Sequence, residues 1–268
     1  MSPGQGNWYP RRTHPAHHLT MLVVGLTGSI ATGKSTVSQF LAQPPFSFPI
    51  VDADKIAREV VLPGTPTYDK IVAYYGPRVD DLLLPADEAG RRMLNRPALG
   101  RYIFAHPDER KQLNAFTHPS IRREMARQVL YHWLWTRAAV VVLDIPLLYE
   151  SGLDAYCGTT MVVACAPEVQ KARLMARDGA SLTEAEADNR IGSQMPVADK
   201  AARADVVVWN DGDRDALRAA LTDAVGEIMP ARALTLLQLL PPIGALMAAV
   251  ALARRYLARP AKPAKAQE

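Results

Sequence analysis

The feature that most constrains this chain is a glycine-rich segment that follows a short apolar run. Residues 28–36 read Gly-Ser-Ile-Ala-Thr-Gly-Lys-Ser-Thr and match the pattern G-x-x-x-x-G-K-[ST] without exception. The apolar residues 21–26 before it predict a buried parallel strand, and a helical pattern follows it. Glycine lets the backbone curl so that its N–H groups face phosphate oxygens, and a helix N-terminus adds its positive dipole end. The segment therefore predicts a loop that binds a nucleoside triphosphate.

Two side chains of this loop indicate the chemistry of the nucleotide site. Lys34 can reach the β- and γ-phosphates, and the hydroxyl of Ser35 can ligate Mg²⁺. GTP switches, motors, transporters and small-molecule kinases all carry such a loop, so the loop alone does not choose a reaction. The sequence holds no N-K-x-D element that would read guanine, and a motor normally needs a longer chain. These observations argue against a GTP switch and against a motor.

Further predicted strands alternate with helices along the 268 residues. This alternation predicts an α/β fold, a doubly wound parallel sheet with helices on both faces. The length corresponds to about two domains, or to one domain with insertions. Apolar runs predict strands at 50–51, 139–144, 160–164 and 205–209, and helical patterns lie at 55–61, 67–75, 86–95, 97–104 and 108–135.

Charge and cysteine content exclude several kinds of protein. The 31 basic and 27 acidic residues leave a formal net charge of +4, and the basic residues form no long run. No nucleic-acid partner is therefore expected. Cys157 and Cys165 are the two cysteines, too few for a disulfide framework or for a zinc site made of four cysteines. Such cysteine usage is typical of a reducing compartment and predicts an intracellular protein.

Acidic residues end two of the predicted strands. Asp52 and Asp54 follow the strand at 50–51, and Asp144 ends the strand at 139–144. Ligands of doubly wound sheets lie beyond the carboxyl ends of the strands, where an aspartate can accept a proton from an attacking hydroxyl or hold Mg²⁺ through water. Alternate residues of an extended segment point the same way, so both members of the first pair can serve one site. The alternatives are a helix cap for one of the pair and a plain strand-end residue for Asp144. We expect Asp54 to be the catalytic one.

Basic side chains at helical spacing form two further candidate groups. His118 and Arg122 lie one turn apart and can face an anionic ligand, while Pro119 between them should start a new helical turn. Arg173 and Arg177 are four residues apart and so share a helix face. Arginines on a mobile helical hairpin can clamp a transferring phosphate, and the alternative is a solvated surface.

The two ends of the chain differ from the segment between them. Residues 1–20 contain three prolines and no acidic residue, and we expect an irregular arm there. Residues 233–253 carry no charge over 21 positions and are flanked by arginines. About 20 apolar residues are needed to cross a bilayer as a helix, although the Pro-Pro pair in the middle also suits a re-entrant or interfacial segment. We expect membrane association through this segment; the alternative is a buried pair of C-terminal helices.

Taken together, these motifs resemble the dephospho-coenzyme A (dephospho-CoA) kinase family over residues 22–225. The phosphate loop alone is unspecific, whereas the Asp-Ala-Asp, His-Pro-x-Ile-Arg and Asp-Ile-Pro-Leu-Leu-x-Glu elements in this order are specific. The resemblance implies the last step of coenzyme A synthesis, in which ATP, with Mg²⁺, phosphorylates the ribose 3′-hydroxyl of dephospho-CoA. The stretches that carry it are GLTGSIATGKST, VDADKIAREVV, NAFTHPSIR, VVLDIPLLYESGL and the run from RLMARDG to ADVVVWN.

The resemblance also implies a domain plan. A kinase domain would span 21–228 and would contain a helical substrate-binding insertion and a helical lid. The arm at 1–20 and a hydrophobic segment with a basic tail at 229–268 would lie outside it. The implied ranges are 21–56, 139–166 and 204–228 for the core, 57–137 for the insertion and 167–203 for the lid.

Individual roles follow from the same resemblance. Asp54 matches the general base, and Lys34 and Arg177 are the other implied catalytic residues. Ser35 is the implied metal ligand. Trp209 departs from the family, which often has aspartate before the asparagine. The implied ATP-binding residues are Gly28, Ser29, Ile30, Ala31, Thr32, Gly33, Lys34, Ser35, Thr36, Arg173 and Asn210, and the implied substrate-binding residues are Asp52, Arg91, His118, Arg122, Asp144, Pro146 and Arg190.

Two alternatives to this function stay open at this point. One is another P-loop kinase of a small hydroxylated metabolite, and the other is a membrane-tethered nucleotide-binding protein without turnover. Lys34 and Asp54 count against the second, because a scaffold need not keep them. The terminal extensions resemble those of eukaryotic members and imply an enzyme on the cytoplasmic face of a membrane, such as the mitochondrial outer membrane or the endoplasmic reticulum. Without that association the enzyme would be cytoplasmic. The oligomeric state is left open.

Overall fold

The computed structural model describes residues 22–179 and 182–229, together with 246, 249, 250 and 253. The expected arm at 1–20 lies outside these residues, and so does nearly all of the apolar segment at 233–253. Among the helices that are described, none combines the length and the apolar character that crossing a bilayer requires.

The described part of the chain divides into two compact units, the first within Met1–Ile50 and His132–Glu268 and the second at Val51–Tyr131. In chain order the elements are β1 (Leu22–Gly28), α1 (Lys34–Ala42), β2 (Ile50–Asp52), α2 (Ala53–Glu59), α3 (Pro66–Tyr75), β3 (Leu83–Ala86), β4 (Arg92–Leu94), α4 (Arg96–Ala105), α5 (Pro107–Leu134), β5 (Val140–Asp144), a 3-10 helix (Leu153–Tyr156), β6 (Thr159–Ala164), α6 (Pro167–Asp178), α7 (Glu184–Gly192), α8 (Val197–Arg203), β7 (Val206–Trp209) and α9 (Arg214–Ile228).

A five-stranded sheet in the order β2-β5-β1-β6-β7 organises the first unit. β1 lies in its centre and pairs in parallel with β5 and with β6, so that Leu26 lies opposite Asp144 and Gly28 opposite Val163. β6 in turn pairs in parallel with β7. All residues of β5 and β6 are buried, as expected for strands covered on both faces. The register brings the ends of β1, β5 and β6 to one edge of the sheet.

Two apolar layers cover this sheet. On one face, Met161 and Val163 of β6 join Val37 of α1 and Leu221 of α9 in the main core. On the other face, Val162 and Ala164 pack with Tyr149, with Met195 and with α8. Successive strand residues alternate between the layers because side chains of a strand point to opposite faces. The predicted α/β sheet with helices on both faces is confirmed.

The second unit has its own apolar core. Tyr75 of α3 is fully buried and packs with Ile71, Leu94 and Leu99. The ring of Tyr102 lies edge-on to Tyr75, with the ring centroids 6.2 Å apart. Because aromatic rings bury a large apolar area, this cluster stabilises the unit in spite of its short strands.

Two expectations for the second unit are wrong. A helix was expected at 86–95, but β3 and β4 form an antiparallel hairpin there. Asp87 accepts hydrogen bonds from the backbone N–H groups of Ala89 and Arg91, and Gly90 has a φ of +74°, so the polar side chain and the glycine favour a turn.

Pro119 also starts no new helix, since α5, which is 28 residues long, runs through it. The fixed φ of proline suits a helix, and one backbone donor is lost.

Candidate active site

The loop between β1 and α1 has a backbone shape that requires glycine. Gly33 has a φ of +93°, in the left-handed region, and Ala31 also has a positive φ, of 62°. A Cβ on Gly33 would lie 2.2 Å from Nδ2 of Asn210. A Cβ on Gly28 would lie 2.7 Å from Oγ1 of Thr32 and 2.9 Å from the carbonyl oxygen of Val163. Both glycines of the motif are therefore required by close approach, and Gly33 also by its φ.

Side chains from distant segments hold this loop in place. The buried Thr32 donates from Oγ1 to the carbonyl oxygen of Ser29 at 2.9 Å, and Asn210 donates from Nδ2 to the carbonyl oxygen of Thr32 at 2.8 Å. Ile30 donates its N–H to Oε1 of Gln194 at 2.9 Å and accepts at its carbonyl from Nε2 of Gln170 at 2.8 Å. The loop is thus bonded to the end of β7, to α6 and to the segment before α8.

Lys34 and Asp144 form an ion pair at the end of the central strands. The Lys34 side chain is 17% exposed and that of Asp144 is 7% exposed, so water screens the pair only weakly. Asp144 ends β5 beside Leu26 of β1, which explains how a strand-end aspartate meets the loop lysine. Oγ1 of Thr27 donates to the carbonyl oxygen of Pro146 at 2.8 Å, and this bond joins β1 to the segment after Asp144.

The N-terminus of α1 is suited to an anion and to a cation beside it. Its N-cap, Gly33, makes no side-chain cap, and the first N–H groups of a helix have no acceptors within the helix. Ser35 is exposed in the first turn. The Ser35 hydroxyl and the Asp144 carboxylate are oxygen donors of the kind that Mg²⁺ prefers. The described residues contain no group of three or more histidine, cysteine or acidic side chains that could hold a metal, so a metal here would depend on these few oxygens and on phosphates.

The arginines of α6 and α7 separate into two groups. Arg177 contacts both carboxylate oxygens of Asp178, at 2.8 and 3.0 Å, and Arg190 contacts the same carboxylate at 3.2 Å. The hydrogen bonds from Arg177, and to a smaller extent the charge of Arg190, lower the pKa of Asp178. Arg173 instead donates to the carbonyl oxygens of Asn210, at 2.6 Å, and of Gly212, at 3.3 Å. Arg177 and Arg190 are brought together on one carboxylate, and Arg173 lies with Asn210.

The acidic pair of the second unit has divided roles. Oδ1 of Asp52 accepts hydrogen bonds from the N–H groups of Asp54, at 2.8 Å, and of Lys55, at 3.0 Å, and so caps α2. Because α2 begins at Ala53, Asp52 and Asp54 do not lie on one extended segment. The expectation that an extended backbone points both carboxylates the same way is therefore wrong. The cap that was the alternative is confirmed for Asp52. Asp54 is exposed in the first turn of α2.

The remaining sequence-predicted residues of this unit are exposed. Arg91 lies at the hairpin turn, and its Nε contacts Asp87 at 3.0 Å. His118 and Arg122 lie one turn apart in α5, and Nε of Arg122 donates to the carbonyl oxygen of His118 at 3.4 Å. Partial burial, and then the charge of Arg122, lower the pKa of His118. This imidazole is therefore more easily kept neutral than a free one.

Sequence reasoning missed several residues that bond to the loop or to the segment after β5. Gln170, Gln194 and Lys200 are among them. Glu150, which lies in that segment, was also given no role, and it contacts Lys200 and the N–H of Met195. Gln170 and Lys200 are buried polar residues. A polar residue on an otherwise apolar helix face was the available signal for them, because such residues are rarely buried without a partner. Thr27 carries no such signal, because a threonine in a strand is common.

A central β1 that runs into a glycine-lined loop, with a strand-end acid on the neighbouring β5 paired to the loop lysine, defines a P-loop nucleotide-binding protein. The sequence profile of the dephospho-CoA kinase family matches residues 22–215. The chain belongs to the dephospho-CoA kinase family. The family resemblance drawn from the motifs is thereby confirmed, and the activity of the chain is that of an ATP-using dephospho-CoA kinase.

Individual relatives agree with this assignment. A dephospho-CoA kinase of Saccharomyces cerevisiae is 44% identical over 237 residues, which cover 88% of this chain and 95% of the relative. A dephospho-CoA kinase of Symbiobacterium thermophilum is 47% identical over 199 residues, covering 74% and 78% of the two chains. The solved dephospho-CoA kinase from Campylobacter jejuni matches with a TM-score of 0.57 and 26% identity over 77% of this chain and 96% of that one.

Proposed function

We propose that this chain transfers the γ-phosphoryl group of ATP to the ribose 3′-hydroxyl of dephospho-CoA, which gives coenzyme A. The observation that carries the proposal is the Lys34–Asp144 pair at the mouth of the glycine-lined loop, in a chain whose family match spans 22–215. In phosphoryl transfer the protein acts mainly by positioning the reactants and by neutralising charge.

Lys34 has a double role in this proposal. Its ammonium is held by Asp144, which orients the long side chain at the end of the central strands. The β- and γ-phosphates offer it a second set of oxygens, and the N–H groups at the start of α1 add donors to the same anion. Because the lysine is already oriented, little side-chain entropy is lost when ATP binds.

The Ser35 hydroxyl and the Asp144 carboxylate would hold Mg²⁺ beside the phosphates. When bound, this ion would neutralise charge on the β- and γ-phosphoryl oxygens. The exposure of Ser35 and the oxygen chemistry of both groups support this part of the proposal.

In the second unit, Asp54 is proposed to orient the 3′-hydroxyl and to accept its proton. The engagement of Asp52 as the cap of α2 supports this choice within the pair. His118, Arg122 and Arg91 are exposed cationic or neutral donors suited to the phosphate groups of dephospho-CoA. We accordingly assign substrate binding to the insertion at 57–137.

The lid is proposed at 167–203. Arg177 and Arg190 both contact the Asp178 carboxylate, so their guanidinium groups lie close together. A phosphate group carries more negative charge than this carboxylate and would replace it as their partner. Arg173 bonds the carbonyl oxygen of Asn210 and thereby supports the loop, because Asn210 donates to Thr32.

An assay of ADP release with dephospho-CoA tests the proposed function. Adenosine and AMP serve as comparison acceptors, because each carries a ribose 3′-hydroxyl without the pantetheine arm. We expect ADP release only with dephospho-CoA, together with a product heavier by one phosphate in mass spectrometry. A folded enzyme that phosphorylates AMP as well as it phosphorylates dephospho-CoA, or that phosphorylates neither, would contradict the proposal.

We also propose that residues 233–253 attach the enzyme to the cytoplasmic face of a membrane. The 21 uncharged positions and the basic flank support this, since the flank adds attraction to anionic headgroups. Removal of residues 230–268, after the end of α9, should leave an active enzyme that no longer floats with vesicles. Removal of 254–268 alone should weaken flotation with anionic vesicles more than with neutral ones. Aggregation of the shorter chain, with the full chain at the bottom of the gradient, would favour the buried-helix alternative.

A further inference from the structure

Lys200 is a charged residue in a fully buried position. It lies in α8, and 0% of its side chain is exposed. Its Nζ lies 3.0 Å from Oε1 of Glu150 and donates to the carbonyl oxygen of Pro146 at 3.1 Å. A buried ammonium is costly unless it is paired and hydrogen-bonded, and such pairs are weak contributors to stability. The arrangement therefore calls for an explanation other than stability.

The Pro146 carbonyl links Lys200 to the catalytic ion pair. This oxygen accepts from Lys200 and also from Oγ1 of Thr27, at 2.8 Å. It lies two residues after Asp144, whose carboxylate holds Lys34. Both bonds therefore fix the chain directly after the strand end that carries the carboxylate.

Glu150 links the same pair to the phosphate loop. Its Oε1 also accepts the N–H of Met195 at 3.1 Å. The carbonyl oxygen of Met195 accepts from Oγ of Ser29 at 3.2 Å, and the neighbouring Gln194 accepts from the N–H of Ile30 at 2.9 Å. Burial would raise the pKa of Glu150, but the bonds from Lys200 and from the backbone hold it below its usual value. One carboxylate oxygen thus orients the segment that contacts two loop residues.

We propose that the Lys200–Glu150 ion pair positions the catalytic machinery for phosphoryl transfer. The pair fixes the segment after Asp144 on one side and the Gln194–Met195 segment on the other, so that Lys34 and the loop keep their places together. The inference rests on the proposed function. Lys200 and Glu150 are positioning residues, because their contacts are with protein groups and they act through Asp144 and the loop.

Lys200→Met tests this assignment, with Arg218→Met as the control. Arg218 is an exposed cation of α9, outside the proposed lid and insertion, and its guanidinium lies 4.9 Å from the ring centroid of Phe40. For Lys200→Met we expect kcat per folded molecule to fall by about ten- to a hundredfold, because small misplacements of reacting groups cost this much, while KM for ATP changes by less than about threefold. For Arg218→Met both constants should stay within about twofold, because it is a surface substitution.

A double-mutant cycle separates positioning from a structural role. If Lys200 acts through Asp144, Lys200→Met should lower kcat by less than about threefold in an Asp144→Asn background. A purely structural role would lower the melting temperature and leave kcat per folded molecule unchanged. Glu150→Gln keeps the shape of the partner and serves if Lys200→Met does not fold, with the same expected loss of kcat.

The possible results decide between the two proposals. A normal kcat in folded Lys200→Met or Glu150→Gln would overturn the positioning role, while the activity of the wild-type enzyme on dephospho-CoA would stand. The same would follow if Lys200→Met lowered kcat in the Asp144→Asn background as much as it does in the wild type. A folded wild-type enzyme that leaves dephospho-CoA unphosphorylated would overturn the proposed function and, with it, this inference.

Discussion

Gly33→Ala tests the geometry of the phosphate loop most directly. An alanine at a φ of +93° costs about 1–2 kcal/mol in backbone strain. Its Cβ would also lie 2.2 Å from Nδ2 of Asn210, so the amide must move. That amide is buried and donates to the carbonyl oxygen of Thr32 at 2.8 Å, and the loss of such a bond costs about 1–3 kcal/mol. The expected total is about 2–5 kcal/mol.

Gly64→Ala is the matched control, because Gly64 has a φ of +88° and nothing within 4 Å of the added Cβ. It should cost only the strain, about 1–2 kcal/mol. Thermal unfolding followed by circular dichroism measures both variants, with roughly 2–4 °C expected per kcal/mol in a chain of this size. ATP affinity should fall in Gly33→Ala and stay unchanged in Gly64→Ala.

A second comparison isolates the contact with Asn210. In an Asn210→Ala background the clash is absent, so Gly33→Ala should add only the strain that Gly64→Ala shows. Equal destabilisation by the two glycine substitutions in the wild-type background would refute the steric argument. So would an undiminished effect of Gly33→Ala when Asn210 is alanine.

Four further substitutions test the assigned roles. Lys34→Ala should lower kcat/KM by two or more orders of magnitude, because it removes a positive charge from a preorganised site; near-normal turnover of a folded variant would contradict the assignment. Asp54→Asn should lower kcat by about 10²–10⁴-fold with little change in KM for ATP, whereas Asp52→Asn should act mainly on the stability of α2; the reverse pattern in steady-state kinetics would exchange the two roles. Arg122→Gln should raise the pKa of His118, since it removes the nearby positive charge, and an NMR titration of the ring that shows no rise would count against that coupling.

Local signals in the sequence determined much of the sheet and the loop. The apolar runs that became β1, β5 and β6 are recognisable because strands buried on both faces need continuous apolar residues. The glycine pattern determined the loop, because the left-handed φ of Gly33 is a property of one residue. Strand-end Asp144 followed from the same reasoning, since parallel strands end at one edge.

Tertiary structure decided what depends on partners far along the chain. A hairpin formed at β3 and β4, where a helix was expected, because Leu83 and Leu94 pack on the core of the second unit while Asp87 and Gly90 form the turn between the strands. Which of Asp52 and Asp54 caps α2 depended on where that helix begins, and spacing alone left this boundary open.

The sequence by itself determined a phosphate loop, a parallel sheet and a set of motifs that name the family. Only the folded chain could pair Lys200 with Glu150 and bring Met195 to Ser29 across 166 residues. The sequence does not reveal the partner of a buried lysine, because the free energy of its charge depends on the atoms around it and not on its neighbours in sequence. The pairing of Lys200 with Glu150 was therefore a property of the tertiary structure.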